Sequence, residues 1–290
     1  MVRAHRPSPE LALHLATLYD RFPFQRSFED DPIAQIRPYS TDRRHAEVTA
    51  LYGATLAIGN TTAIRGSIRR LVELAGGDLV AAVRDGGAPG PWREFRHRWI
   101  RGDQMTHLAR RLHATYASYD SLEDVFLEGM EADGFARGID SLARALRGPS
   151  SDPKAPRGYR ALFPSPLDPH RSPAKRLTLY LRWMVRDRFP DFGFWNRIPM
   201  NELRVPLDQH VFWIAYHLGL THRRTRSWAT VEEVTAALRR IDPVDPIRFD
   251  FVLCHTGISG DCPKRRDIAV CGPCAVRPDC LMWRSVRGAS

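Results

Sequence analysis

The residues of this chain best placed to do chemistry are its cysteines and lysines and one aspartate. All five cysteines lie at position 254 or beyond, and four follow the spacing Cys262-x8-Cys271-x2-Cys274-x5-Cys280. Two cysteines separated by two residues put both thiolates on one tight turn. The following segment then returns the chain for a further ligand. Thiolates in this pattern suit zinc and iron–sulfur clusters alike. Zinc ribbons usually carry two such close pairs, and only one occurs here. A disulfide framework would scatter its cysteines through a small secreted domain, unlike this terminal cluster. Cys254 sits beside the apolar run Phe249-Asp250-Phe251-Val252-Leu253 and reads as a buried free thiol, with a place as fourth ligand instead of Cys262 as the alternative.

Of 43 basic residues only Lys154, Lys175 and Lys264 are lysines. Ser172-Pro173 reads as an N-cap followed by a first helical proline, which puts Lys175 near the third position of a helix from Ala174 to about Arg186. The positive end of a helix dipole, with Arg176 adjacent, favours the neutral amine. A neutral lysine can attack an electrophilic carbon and form a Schiff base, which arginine cannot do. A phosphate-contacting or solvated lysine is the plainer alternative. Asp208, in Val205-Pro206-Leu207-Asp208-Gln209-His210-Val211, reads from its own surroundings as the N-cap of a helix over 209–218.

Formal charge is +10, and it is unevenly spread. Residues 154–188 carry nine basic side chains against Asp168 and Asp187, whereas 120–140 hold seven acids against Arg137. A basic patch with an acidic back is the footprint of a polyanion binder, and a solvated arginine-rich surface is the alternative. His222–Arg226 and Arg93–Arg101 are further phosphate-contact candidates. No run of 18 apolar residues exists, and Pro7–Pro9 followed by Glu10 is not a leader, so a cytoplasmic, nucleoid-associated protein is expected.

The elements that must position these residues are helical almost throughout. Helical spacing runs over 10–21. A Ser40-Thr41-Asp42 start precedes a helix to about Ile58, Gly59-Asn60-Thr61-Thr62 breaks it, and a second helix runs to Leu74. Asp103 is expected to cap a helix through Tyr116, Ser121-x-x-Asp124 is a capping box, and a further helix spans about 136–147. A Pro/Ser-rich loop covers 148–172. Thr230-x-x-Glu233 is expected to cap another helix and Asp245-Pro246 to begin the last. No strand alternation and no repeat is evident, so the fold class is all-α. Trp183, Trp195, Trp213 and Tyr216 read as core rather than base-stacking side chains.

Several stretches in this order resemble the helix-hairpin-helix DNA glycosylase superfamily. They are Asp31-Pro32, Ala54-Thr55-Leu56-Ala57-Ile58-Gly59, Pro173-Ala174-Lys175-Arg176-Leu177, Ile198-Pro199 and Leu207-Asp208-Gln209-His210-Val211. The lysine-to-aspartate region is similar to archaeal 8-oxoguanine glycosylases, and the whole resembles a poorly characterised bacterial family related to these enzymes. The cysteine loop is similar to that of endonuclease III, matching its last two spacings and exceeding the first by two residues. The resemblance implies two helical lobes around a cleft and excision of a flipped, damaged base from double-stranded DNA by a monomer, with strand nicking as an added step. It implies catalytic roles for Lys175, attacking C1′, and Asp208, whose carboxylate would stabilise a developing oxocarbenium ion. It also implies a [4Fe-4S] cluster on Cys262, Cys271, Cys274 and Cys280, where zinc is the alternative. DNA phosphates would meet Arg171, Ser172 and Arg176. Asn60, which reads by itself as a helix cap, stands where endonuclease III inserts a wedge into DNA. The expected organisation is an arm (1–41) packed on the second lobe, a lobe (42–187), a connector with the second lobe (188–261), and the cluster loop (262–280). The family's glycine-rich hairpin is missing. Pro164–Arg171 takes its place, with Asp168 set to oppose an anion. A non-catalytic DNA-binding module and a zinc-bound nucleic-acid-processing factor are the alternative functions.

Overall fold

A computed structural model describes residues 8–86, 92–263 and 265–284. The chain start through Pro7, on which the no-leader expectation partly rests, and Lys264 lie outside the described residues. Regular structure is almost entirely helical. No helix among the described residues is long and apolar enough to cross a membrane.

Short polar side chains open the helices where they can accept an amide that has no partner within the helix. Asp42 Oδ1 accepts from His45 N–H (3.0 Å) before Arg43–Leu56, and Asn60 Oδ1 accepts from Ala63 N–H (2.8 Å) before Thr61–Leu74. Ser121 and Asp124 cap each other reciprocally (2.9 and 3.2 Å) at the start of Leu122–Arg147. That helix breaks at Asp133–Gly134, so the helix expected from about 136 is its second half.

Other starts differ from expectation. Asp103 lies inside Gly102–Tyr116, because Gln104 Oε1 already takes the Arg101 amide (2.9 Å). Thr230 lies inside Trp228–Ile241, and its hydroxyl donates to the Thr225 carbonyl (2.6 Å) instead of capping. Asp245-Pro246 starts no helix: Asp242 Oδ1 accepts the amides of Val244 (3.2 Å) and Asp245 (2.9 Å), which holds a turn, and the helix is Asp250–Ile258. A two-residue antiparallel hairpin, Arg96–His97 with Ile100–Arg101, was not expected.

The chain divides into two compact units. The first comprises Met1–Phe24, Arg171–Lys175 and Met200–Ser290; the second comprises Gln25–His170 and Arg176–Pro199. In the first, Gln209–His217 meets Asp250–Ile258 at Gly257, where a Cβ would stand 2.6 Å from that of His210. The Pro9–Asp20 helix joins this unit through His14 Nδ1 to Asp279 (2.6 Å) and Tyr19 edge-on to Phe249. In the second, Arg43–Leu56 is buried from Ala46 to Leu56 and Lys175–Val185 buries Leu177, Tyr180, Leu181 and Trp183–Val185. Trp183 and Trp195 are core here, as expected, whereas Trp213 of the first unit is 41% exposed.

Candidate active site and cysteine centre

Asp208 caps Gln209–His217 with Oδ1, which accepts from Val211 N–H (2.8 Å). Its other oxygen, Oδ2, accepts from the Cys254 thiol (3.3 Å), carried by Asp250–Ile258. Cys254 is a free thiol, half-buried beside the aspartate. The Gly257 approach lets the two helices close enough for this bond.

Lys175 is the first residue of its helix, not near the third. Ala174 takes a left-handed backbone (φ 48°) and Arg171 another (φ 43°), so the right-handed helix cannot begin before Lys175. Ser172 Oγ accepts from Ala174 N–H (3.1 Å), and the Arg171 carbonyl accepts from Trp228 N–H (2.9 Å). Lys175, Asp208, Cys254, Arg171 and Ser172 all belong to the first unit.

The four remaining cysteines line one cavity of about 30 Å³ in that unit, walled also by Ile214, His217, Leu218 and Trp283. Asp267 caps the short Ile268–Cys271 helix, which carries Cys271, and Cys262 N–H bonds the Thr256 carbonyl (3.0 Å). Burial pushes the Cys262 thiol up to about 12, and the three neighbouring cysteines add to the effect. Burial also raises Cys274, against the lowering effect of the Val276 and Arg277 amides. Four thiols with amides beside Cys274 fit a thiolate-held centre in kind. Among the described residues, however, no three His, Cys, Asp or Glu side chains stand at metal-holding spacing.

The model of the family described as "Protein of unknown function (DUF2400)" matches residues 31–259, well over half of the chain. The chain belongs to the DUF2400 family. No curated protein and no solved structure matches it. The matched span includes Lys175, Asp208 and Cys254 and stops short of Cys262.

The basic segment of this DUF2400 chain is thinner on its surface than its composition implies. Arg182 and Arg186 are buried on Asp191 (3.1 and 3.0 Å), outside the counted window. Arg176 donates to the Ala161 carbonyl (3.2 Å) and to that of Leu162, and burial lowers its pKa to about 10. Asp168 pairs with Arg147, so its charge is already opposed. Asn60 and Arg176 are counted with the second unit and the other expected site residues with the first. Sequence reasoning missed the Cys254–Asp208 contact.

Proposed function

We propose that this DUF2400 chain is a DNA base-excision glycosylase of the helix-hairpin-helix type, with a strand-nicking step. The observation that carries the reading is the grouping of Lys175 and Asp208 in one compact unit, the aspartate held at a helix start by an amide and a thiol. Two left-handed non-glycine residues just before Lys175 add support, since such strain clusters at functional sites. Lys175 Nζ attacks C1′ of the flipped nucleotide. The N–C1′ bond forms as the glycosidic bond breaks, and the base leaves with the bonding pair and takes up a proton. Opening of the sugar ring then gives the Schiff base. Asp208 opposes the positive charge that develops at C1′. Cys262, Cys271, Cys274 and Cys280 would hold a [4Fe-4S] cluster, which supplies a structural cross-link and no hydrolytic chemistry.

Borohydride trapping on a panel of single-lesion duplexes tests the reading. Lys175→Gln should abolish the trapped adduct yet still bind damaged DNA. Asp208→Asn should slow base release by roughly a hundredfold, about 3 kcal/mol of transition-state stabilisation. Excision at the wild-type rate by Lys175→Gln, with Asp208→Asn dead, would make water the nucleophile. Absence of excision and of adduct across the panel would sink the enzyme reading.

A further inference from the structure

The hairpin that periodicity missed has two unlike faces. Trp92, Phe95, His97 and Ile100 are buried beneath it, whereas Arg93, Glu94, Arg96, Arg98, Trp99 and Arg101 are exposed. Four arginines against one glutamate leave +3 in nine residues. Among the described residues none of these four guanidiniums takes part in an ion pair.

The hairpin is fixed rather than loose. His97 bonds Ser67 Oγ through Nδ1 (2.8 Å) and the Ile58 carbonyl through Nε2 (3.0 Å). Trp92 Nε1 donates to the Leu71 carbonyl (3.0 Å). A Cβ at Gly102 would stand 1.5 Å from the Trp92 carbonyl oxygen, so only glycine permits this closure. Arg98, at the tip with φ 55°, lies against Gly59, the neighbour of Asn60. Trp99 is 44% exposed, and the Arg176 guanidinium sits 5.7 Å from its ring centre.

An exposed indole on a fixed hairpin that carries four arginines matches what unstacked nucleic acid offers: an aromatic face between phosphates. Stacking needs no base-specific contact, and the charges follow the backbone. We infer that the outer face of this hairpin binds nucleic acid, Trp99 stacking on an unpaired base and Arg93, Arg96, Arg98 and Arg101 holding the flanking phosphates. The inference rests on the nucleic-acid part of the proposed function. It relocates the main contact from 154–188 to 93–101 and does not depend on Lys175 or on catalysis.

The test is fluorescence anisotropy of the full chain on a labelled oligonucleotide, single-stranded and as a duplex with one unpaired base. Trp99→Ala should weaken both by roughly tenfold or more, with Trp99→Phe retaining most of the affinity. Arg93→Ala and Arg96→Ala should each flatten the log–log salt dependence by about one unit, and Arg144→Ala, whose guanidinium already pairs with Asp140, should not. Unchanged melting temperatures would show that the variants fold. Unaltered binding by a folded Trp99→Ala overturns the hairpin assignment and leaves the glycosylase reading standing. Absence of any wild-type binding overturns both. Poly-glutamate competing as well as the oligonucleotide, with the same dependence on Trp99, would point to an acidic protein partner and also overturn the assignment.

Discussion

Glu47 is fully buried, and three donors converge on its carboxylate. Oε2 accepts from Tyr116 Oη (2.9 Å) and Leu122 N–H (3.3 Å), and Oε1 from Trp195 Nε1 (2.9 Å). Burial raises its pKa, while these three bonds pull the other way. The site is therefore matched to an acceptor with two oxygens, and no other side chain of the same size offers that. Glu47→Gln keeps the shape but turns an amide N–H toward either Trp195 or the Tyr116–Leu122 pair. One buried donor then goes unmet, at about 1–3 kcal/mol. Glu47→Ala strands all three and should cost more. Thermal melts should rank wild type above Gln above Ala, and a Gln variant as stable as wild type would show that the pocket tolerates a donor. Nothing in the helix spacing marks Glu47, which reads as one more polar residue in an apolar run. Its role depends on Tyr116, Leu122 and Trp195, far away in the chain. Arg182 and Arg186 were counted as surface charge for the same reason, since Asp191 lay outside the window that defined the patch.

Elements were legible where the deciding bond is local. Asp42, Asn60, Ser121 and Asp208 each satisfy an amide three residues on, so the residue type and its position carry the helix start. Thr230 and Asp245 failed because equally suitable side chains, Thr230 itself and Asp242, bond backbone groups outside any helix start. The hairpin was illegible because two residues per strand show no alternation. It is held instead by His97, whose ring is neutral when Nε2 donates to the Ile58 carbonyl and Nδ1 accepts from Ser67. Burial lowers the His97 pKa in the folded chain below the ordinary 6.5. A depressed histidine value means that the unfolded chain takes up the proton first on acidification. Its stabilising contribution is thus complete above 6.5 and is lost as pH falls toward and through the folded value. The melting temperature should drop between pH 7.5 and 5.5, and His97→Gln should drop less over the same interval. Parallel pH profiles for the two proteins would remove His97 as a source of acid sensitivity.

At the scale of the whole molecule, the polypeptide passes between its two compact units four times, at 24/25, 170/171, 175/176 and 199/200. The expected catalytic residues and all five cysteines belong to one of them, and the basic hairpin belongs to the other. Clustered, terminal cysteines were legible as a centre because their spacing is short-range. The residues that wall their cavity were not, since Ile214 and His217 come from the helix that Asp208 caps and Leu218 is the residue that ends it. A cluster in that cavity would therefore tie the loop to the candidate active-site helix, while His14 and Asp279 tie the Pro9–Asp20 helix to the same loop. Local unfolding follows such cooperative groupings rather than the chain as a whole. Cys274→Ser should remove iron and the absorbance near ~400 nm that thiolate-held clusters give. It should then speed amide exchange over Pro9–Asp20, Gln209–His217 and Ile268–Cys271, with Arg43–Leu56 and Leu122–Arg147 of the other unit keeping their protection. Hydrogen exchange read by mass spectrometry separates the outcomes. Full iron retention by Cys274→Ser overturns the ligand assignment, zinc in place of iron replaces the cluster, and exchange that rises equally in both units would mean the centre braces the molecule globally.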